Sequence, residues 1–304
     1  MLHSNNSRKK LVSARLLYKF IRDQKLFAII CSIGEGQMEL KELGNTGVYI
    51  SEIGLGTWRY KGGAETLRAG IDLGATLIDT AEGYYTEDVV GEAVRGIRDK
   101  VFIATKVSGR NLAYDDVHQS AQESLYKLGT DYIDLYQIHW ANPSYPIKET
   151  MKAMGELVDR GLVRFIGVSN FGIDDIVEAQ SYLHNYKIVS NQVRYNLNDR
   201  SIERDLIPYC EENGITIMAY TPLDDGSLTS TGNLKNSSKM RILEDISIET
   251  GKTIGQIALN WCTSKPGVVA IPKSNSLQRT IENCGATGWR LSADQIDKLD
   301  KGFS

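Results

Sequence analysis

Short apolar runs alternate with longer amphipathic segments over most of this chain. Runs rich in β-branched residues predict buried strands, and segments with apolar residues at helical spacing predict helices. Eight strands are predicted, at residues 50–55, 76–79, 101–106, 133–139, 165–169, 189–193, 216–220 and 268–272. Helices are predicted at residues 64–73, 86–96, 114–128, 147–160, 173–182, 201–213, 237–262 (in two pieces) and 277–284. A regular alternation of this kind is typical of an α/β protein with a parallel sheet.

These elements follow one another without a long polar linker, which predicts one domain, a closed (β/α)8 TIM barrel over residues 38–304. Glycine is favoured just after helix ends, and it follows four predicted helices, at Gly129, Gly161, Gly214 and Gly251. An open doubly wound sheet is the alternative, and it needs a G-x-G-x-x-G turn after a strand. Residues 54–59 supply two of those three glycines, with Arg59 in the third place, so the barrel is favoured.

Two further elements flank the predicted barrel. Residues 39–48 carry apolar residues around the turn Gly44-Asn45-Thr46-Gly47, which predicts a β-hairpin that closes the amino-terminal end, or bottom, of the barrel. Near the carboxyl terminus, Ser292 precedes a helical pattern, which predicts a capped terminal helix.

The N-terminal extension, residues 1–37, differs in charge from the rest, with seven Lys and Arg against two acids. Three interpretations fit it: a basic targeting or membrane-surface segment, a disordered arm, or a stretch that is not part of the native protein. We favour the last, with Met38 as the true start, because codons for residues 34–37 would form a purine-rich tract like those before prokaryotic start codons. The apolar run at residues 26–33 is far shorter than the roughly 20 residues that a membrane span needs.

Composition is that of an ordinary globular protein, with 24% charged and 41% hydrophobic residues and a formal net charge of −3. That balance gives no reason to expect a nucleic-acid partner. The four cysteines are widely spaced, which indicates reduced thiols in a cytoplasmic protein and gives no reason to expect a metal. We therefore expect a cytoplasmic protein without a membrane or nucleic-acid partner, and a monomer or weak homo-oligomer.

Five polar side chains stand out at, or just after, the ends of predicted strands. Asp79, Lys106 and His139 each end a strand, and Tyr84 and Tyr85 follow Asp79 in a loop. The carboxyl ends of barrel strands meet at the mouth where barrel enzymes do chemistry, so the fold brings the first three together. Taken singly, each residue also has a structural interpretation, as a helix cap, a solvated lysine, a partly buried histidine or loop packing.

The strand ends between Met38 and Asp300 carry a series of motifs, in order and on the expected strands. The motifs are Gly-Leu-Gly-Thr-Trp at 54–58, Asp79-Thr-Ala-x-x-Tyr84, Thr105-Lys106, Ile138-His139-Trp140, Gly167-Val-Ser-Asn-Phe171, Asn191-Gln192, Ala219-Tyr220-Thr-Pro222, and Ile271-Pro-Lys-Ser274 followed by Arg279, Glu282 and Asn283. Over nearly its whole length the chain thereby resembles the aldo-keto reductase family. The resemblance implies an NADP-dependent oxidoreductase that reversibly reduces aldehydes, ketones or sugar carbonyls to alcohols.

The resemblance gives a role to each residue of a catalytic tetrad, Tyr84, Lys106, Asp79 and His139. Tyr84 would be the general acid that protonates the alkoxide left by hydride transfer. Lys106 would lower the pKa of the phenol, because an ammonium favours phenolate, and Asp79 would hold Lys106 charged and in place. His139 would direct the substrate oxygen toward Tyr84 as a neutral imidazole donor. Family spacing selects Tyr84, whereas the chemistry alone leaves Tyr85 open.

The resemblance also implies a site for NADP(H). The nicotinamide carboxamide would be bound by Ser169, Asn170 and Gln192, with Tyr220 stacked on the ring. The 2′-phosphate would be held by Lys273, Ser274 and Arg279 at the start of the last barrel helix, which favours NADPH over NADH. Further cofactor contacts are predicted at Thr57, Leu223, Glu282 and Asn283, the last two against the adenine.

The substrate pocket would have the aromatic walls Trp58, Tyr85 and Trp140. The loop at residues 223–236 is short and polar, so we expect no long belt over the cofactor, and hence fast cofactor exchange. The chain ends soon after its terminal helix, which indicates an open, permissive pocket.

Two other functions fit parts of the pattern. A cofactor-binding regulatory or channel-associated subunit with little turnover fits the same barrel, although the complete tetrad argues against it. A phosphate-binding isomerase or aldolase barrel would use Lys106 as a Schiff-base lysine, but it would leave Tyr84 and His139 without a role. The physiological substrate and the direction of the reaction do not follow from the sequence.

Overall fold

The computed structural model describes residues 37–229 and 237–304. The predictions for residues 1–36, and the part of the 223–236 loop from residue 230 onward, lie outside the described residues. Within the described part, no helix is long and apolar enough to cross a bilayer.

Eight parallel strands form the sheet around which the chain folds. Two strands form a separate N-terminal hairpin, β1 (Leu40–Glu42) and β2 (Tyr49–Ser51). The eight strands of the main sheet are β3 (Leu55–Gly56), β4 (Leu77–Asp79), β5 (Phe102–Val107), β6 (Ile133–Ile138), β7 (Val163–Ser169), β8 (Ile188–Arg194), β9 (Thr216–Tyr220) and β10 (Val268–Ala270). Strands β3 to β10 pair in chain order. Isolated pairings of Ile53 with Ala270 and of Gly56 with Lys273 join the first and last of them, which closes the barrel.

Helices alternate with these strands, as the sequence predicts. They are α1 (Gly63–Asp72), α2 (Glu87–Val94), α3 (Tyr114–Leu128), α4 (Ile147–Asp159), α5 (Ile173–Ser181), α6 (Leu206–Glu212), α7 (Ser238–Thr250), α8 (Ile254–Thr263), α9 (Leu277–Cys284) and α10 (Ala293–Gly302). The (β/α)8 barrel is therefore confirmed. The Ser292 side chain accepts a hydrogen bond from the backbone N–H of Gln295, so the predicted cap of the terminal helix is also confirmed.

Two helix predictions differ from the structure in their bounds. The helix predicted at 201–213 is a 3-10 turn, Ser201–Glu203, followed by the shorter α6. Pro208 explains the late start, because it has no N–H to donate to the carbonyl of residue 204 and is tolerated only in the first helical turn. The segment at 237–262 is divided as expected, since Gly251 has a φ of 68° and ends α7 in the left-handed conformation.

The strand predicted at 50–55 is wrong in its first half. Tyr49–Ser51 pairs antiparallel with Leu40–Glu42 as the second strand of the hairpin, and the barrel strand itself is only Leu55–Gly56. The turn between the hairpin strands bonds to the barrel, because the Gly44 N–H donates to Thr216 Oγ1 at 2.7 Å. Thr216 is the first residue of β9, so the hairpin lies against the amino-terminal ends of the strands, as predicted.

The core has two parts. One is the bottom of the barrel interior, where Leu43 and Ile50 from the hairpin pack with Leu77, Leu135 and Met218 from the strands. The other, larger part lies between the outer faces of the strands and the surrounding helices. The interior is therefore filled with apolar side chains at the bottom, which leaves the carboxyl ends of the strands as the place where polar groups collect.

Candidate active site

Lys106 and Asp79 form a buried ion pair at the ends of β5 and β4. The Lys106 side chain has 0% exposure, and Nζ donates to Asp79 Oδ1 at 2.9 Å, to Asp79 Oδ2 at 2.8 Å and to the Thr80 carbonyl at 2.8 Å. Burial is the largest single effect and lowers the pKa of Lys106, but Asp79 and Tyr84 together outweigh it, and the net direction is upward. Lys106 is therefore an ammonium at neutral pH, as the sequence predicts.

Tyr84 ends a 3-10 turn, Glu82–Tyr84, that follows β4. Its hydroxyl lies 3.3 Å from Lys106 Nζ and 3.3 Å from Nε2 of His139. The Lys106 ammonium acts to lower the pKa of this phenol, as expected, but it does not bring the net pKa below the ordinary value. Burial raises the pKa of Tyr84 above 10.0, and the opposing effect of the Lys106 ammonium is smaller. Tyr84 is thus fully protonated at neutral pH and carries the proton that a general acid must deliver.

His139 follows β6 directly and completes the group. Its backbone N–H donates to the Val107 carbonyl at 3.0 Å, which holds it beside β5. Burial lowers the pKa of the imidazole to about 4, with a smaller contribution from the Lys106 charge. His139 is therefore neutral at physiological pH, in agreement with its predicted role as an imidazole donor.

Tyr85 does not belong to this group, and its prediction as a pocket wall is wrong. The side chain is 83% exposed, and it is not among the residues that line the cleft described below. Tyr85 has a φ of 57°, so the backbone reverses directly after Tyr84 and turns the second phenol away. The other two predicted walls do line the cleft, and the ring of Trp58 lies 4.9 Å from that of Tyr84.

A cleft of about 580 Å³ leads away from Tyr84 and His139 across the mouth of the barrel. Its volume is that of a site for a small molecule or a cofactor. Ten of the predicted cofactor residues line it, namely Thr57, Ser169, Asn170, Gln192, Tyr220, Leu223, Lys273, Arg279, Glu282 and Asn283. Ser274 is not among the lining residues, and its hydroxyl donates to the Ser276 carbonyl at 2.9 Å and accepts from the Ser276 N–H at 3.2 Å.

The near end of the cleft is a network of polar side chains that fix one another. Ser169 Oγ donates to the Gln192 carbonyl at 2.8 Å, and Asn170 Nδ2 donates to Ser169 Oγ at 3.0 Å. Tyr220 OH donates to Asn170 Oδ1 at 3.0 Å, and Gln192 Nε2 donates to Asp79 Oδ1 at 2.7 Å. Gln192 therefore connects this network to the Lys106–Asp79 pair. Amide and hydroxyl groups held in this way suit a planar amide ligand.

The far end of the cleft is cationic. Lys273 and Arg279 lie there, and within residues 37–229 and 237–304 neither forms an ion pair. Helix α9 begins beside them, with Ser276 as its N-cap. Glu282 is held apart from Arg279, because it accepts a hydrogen bond from Thr253 Oγ1 at 2.7 Å. Two free cations at a helix N-terminus fit a phosphate group. The residues of the cleft therefore fit a nicotinamide dinucleotide that carries an additional phosphate.

Two parts of the site are not apparent from the sequence. Glu82 accepts hydrogen bonds from the Ser108 N–H at 2.5 Å and from Asn111 Nδ2 at 3.0 Å, which ties the turn of Tyr84 to the strand of Lys106. In the sequence, the only feature that marks Glu82 is its position two residues before Tyr84. The second part, residues 253–255 at the start of α8, lines the cleft but carries no charged or catalytic side chain that would have marked it.

Most of the chain is similar in sequence to known reductases. The family model of the aldo/keto reductase family matches residues 52–302. Methylglyoxal reductase YeaE of Escherichia coli strain K12 is 37% identical over 266 residues, which cover 84% of this chain and 92% of that protein.

Solved structures give the same result. The thermostable aldo-keto reductase Tm1743, crystallised with the inhibitor epalrestat, is 42% identical with a TM-score of 0.81, over 87% of this chain and 100% of that one. An aldo/keto reductase from Klebsiella pneumoniae in complex with NADP and acetate is 35% identical with a TM-score of 0.77, over 87% of this chain and 95% of that one.

Proposed function

This chain belongs to the aldo/keto reductase family, and from that membership we propose that it reduces aldehyde or ketone carbonyls, including those of sugars, to alcohols with NADPH, reversibly. One observation carries the proposal. The Tyr84 hydroxyl lies 3.3 Å from both Lys106 Nζ and His139 Nε2, at one end of a cleft whose other end has the cations Lys273 and Arg279.

Each member of the tetrad has a task in this reaction. NADPH, when bound, supplies the hydride. His139 donates from Nε2 to the carbonyl oxygen and directs it toward Tyr84, and Tyr84 passes its proton to the oxygen as negative charge develops there. The resulting phenolate is stabilised by the Lys106 ammonium, and Asp79 keeps that ammonium in place. Burial makes these interactions stronger than they are in water.

The cleft suggests how the cofactor is held. Ser169, Asn170 and Gln192 would bind the carboxamide and Tyr220 would hold the ring, while Thr57 and Leu223 also line the cleft. Lys273 and Arg279 would bind the 2′-phosphate, with Ser274 beside them, and Glu282 and Asn283 would meet the adenine. The preference for NADPH over NADH follows from the two cations, because an unphosphorylated ribose offers them no counter-charge. The Klebsiella pneumoniae structure with NADP supports this assignment.

The substrate side of the cleft is open and permissive. Trp58 and Trp140 are 52% and 53% exposed, so the two apolar walls are open to solvent and restrict the length of the substrate little. The similarity to an Escherichia coli methylglyoxal reductase supports small dicarbonyl compounds as the first substrates to examine.

The test is the consumption of NADPH, and separately of NADH, by the purified protein with methylglyoxal and with panels of aldehydes, ketones and aldoses. Tyr84→Phe removes the proton donor, so kcat should fall by roughly 10²–10⁴-fold while the Kd for NADPH is unchanged. Tyr85→Phe is the matched control, and it should have the kcat of the wild type because Tyr85 lies outside the cleft.

Two results would contradict the proposal. Turnover that survives in Tyr84→Phe would mean that another group is the acid. Tight binding of NADPH without turnover on any of the carbonyls would instead favour the cofactor-binding regulatory subunit.

A further inference from the structure

The loop at residues 221–229, which follows β9, forms one wall of the proposed cofactor cleft. The residues of this loop that line the cleft are Thr221, Pro222, Leu223, Asp225, Gly226 and Thr229. On the proposed function, a bound dinucleotide lies against this wall. Whatever holds the 221–229 loop in place therefore influences cofactor exchange.

The backbone of the loop is held in an unfavourable conformation. Three of its non-glycine residues are left-handed, with φ values of 52° at Thr221, 47° at Asp224 and 52° at Asp225. This region of backbone space is uncommon for residues other than glycine, and it is least favourable for a β-branched residue such as Thr221. Conformations of this kind persist only when surrounding contacts impose them.

Arg194 supplies such contacts from the neighbouring strand. It is the last residue of β8, and its guanidinium lies 2.5 Å from Asp224 Oδ1, 3.8 Å from Asp225 Oδ2 and 3.3 Å from Asp199 Oδ2. The first two carboxylates belong to the 221–229 loop, and the third belongs to the turn after β8. A planar guanidinium with five donors can serve several carboxylates at once, which a lysine cannot do in the same geometry.

The charges matter as much as the bonds. Asp225 lines the cleft, Asp224 is adjacent to it, and the same cleft carries Lys273 and Arg279 at its phosphate-binding end. Two uncompensated carboxylates on the wall of a site for a polyanion would repel it. Arg194 sits against both carboxylates and neutralises this part of the wall without lining the cleft itself.

We propose that Arg194 is a positioning residue for cofactor binding: it holds the 221–229 loop in its left-handed conformation, neutralises Asp224 and Asp225, and thereby sets the rate at which NADPH leaves. Arg194 is not a cleft-lining residue, so it acts on the cofactor through the loop. The hydride-transfer step itself should not depend on it.

The test measures the Kd of NADPH by quenching of intrinsic fluorescence and its dissociation rate by stopped flow. In Arg194→Met the dissociation rate and the Kd should both rise about tenfold, because loss of a close charge partner acts mainly on dissociation. Arg194→Lys keeps the charge, so its dissociation rate and its Kd for NADPH should lie between those of Arg194→Met and those of the wild type. The rate of hydride transfer in a single turnover should be unchanged in both variants.

A second substitution separates the role of charge from a general loss of stability. Arg194→Met combined with Asp224→Asn removes the carboxylate left without its cation, so the double variant should release NADPH more slowly than Arg194→Met alone. A merely structural role would not give this recovery. Arg204→Met is the matched control, since Arg204 pairs with Asp205 at an exposed site away from the cleft.

The outcomes are distinct from those that test the proposed function. If the wild type does not bind NADPH, the proposed function fails. If the wild type binds NADPH and Arg194→Met releases it at the wild-type rate, or no faster than Arg204→Met, the inference about Arg194 is overturned. Should Arg194→Met not fold, Arg194→Lys provides the same comparison with a milder change.

Discussion

At the scale of single residues, the site depends on burial that reverses the ordinary behaviour of its side chains. Lys106 is a charged residue with no exposed surface, and it is kept charged because Asp79 and the Thr80 carbonyl satisfy its donors. The same burial keeps Tyr84 protonated and His139 neutral. The three groups therefore enter the reaction in the protonation states that a proton donor, a cationic neighbour and a hydrogen-bond donor need.

The lowered pKa of His139 predicts a pH dependence of stability. Because the folded pKa is about 4 and the ordinary value is 6.5, the unfolded chain takes up a proton as pH falls through 6.5, and the folded protein does not. This contribution to the free energy of unfolding is present above pH 6.5 and is lost as pH falls toward 4. In His139→Gln the decrease in unfolding free energy between about pH 7 and about pH 4.5 should be smaller by about 1–2 kcal/mol, after allowance for the exposed part of the ring.

Urea unfolding of the wild type and of His139→Gln at both pH values measures this difference. The histidines common to both proteins cancel, as do the carboxylates that titrate in the same range. Equal decreases in the two proteins would show that His139 has an ordinary pKa in the folded state.

At the scale of elements, one apolar run in the sequence is divided between the hairpin strand β2 and the barrel strand β3. Residues 50–55 read as a single apolar run, but Ile50 closes the bottom of the barrel and Leu55 belongs to β3. Ser51 has both roles at once, since it ends the hairpin and its Oγ accepts the N–H of Leu77 in β4 at 3.0 Å. Local apolar pattern cannot separate the two elements, because both bury the same kind of side chain.

The hairpin predicts a contrast between two adjacent residues. Ile50 is fully buried against the strands, so Ile50→Ala should lower the free energy of unfolding by about 2–5 kcal/mol through lost contacts and a residual cavity. Tyr49 is 60% exposed on the other face of the same strand, and Tyr49→Ala should change it by no more than about 0.5 kcal/mol. Denaturant unfolding of both variants measures the effect, and equal losses would mean that the hairpin does not close the barrel as described.

At the scale of the whole molecule, the chemistry is spread along the chain and gathered by closure of the barrel. Asp79 and Gln192 lie 113 residues apart, yet Gln192 Nε2 donates to Asp79 Oδ1 at 2.7 Å. The seam between β3 and β10 pairs Gly56 with Lys273, which brings the lysine that we propose to bind the cofactor phosphate to the first barrel strand. A β-carbon at Gly56 would lie 2.6 Å from the Ile271 carbonyl, so this seam needs glycine.

We propose that residues 38–304 are sufficient for the proposed catalysis. Among residues 37–229 and 237–304, those of the tetrad and of the cleft all lie after Met38, Met38 itself packs against the core, and the Glu39 N–H donates to Thr287 Oγ1 at 3.1 Å. A chain that begins at Met38 should therefore have the kcat, the NADPH Kd and the denaturation midpoint of the full chain. A clear loss of any of the three would show that residues 1–37 belong to the functional protein. Mass spectrometry of the natively expressed N-terminus would identify its first residue directly.

The sequence by itself determined the class of the fold, the order of its elements and the strand ends at which Asp79, Lys106 and His139 lie. The reason is that these depend on local periodicity, on helix-terminal glycines such as Gly129 and Gly251, and on polar residues placed at strand ends. In a barrel, a position at the end of a strand is enough to place a side chain at the mouth.

Only the tertiary structure decided which of two adjacent tyrosines enters the site, in which direction the pKa of Tyr84 moves, and what holds the 221–229 loop. Each of these depends on distances and burial between residues far apart in the chain. Burial affects the pKa of Tyr84 more than the charge of Lys106 does. Tyr85 has a left-handed backbone and an exposed ring, and Arg194 contacts carboxylates from two loops. Burial and the distances between side chains decide each of these outcomes, and both are fixed only once the barrel has closed.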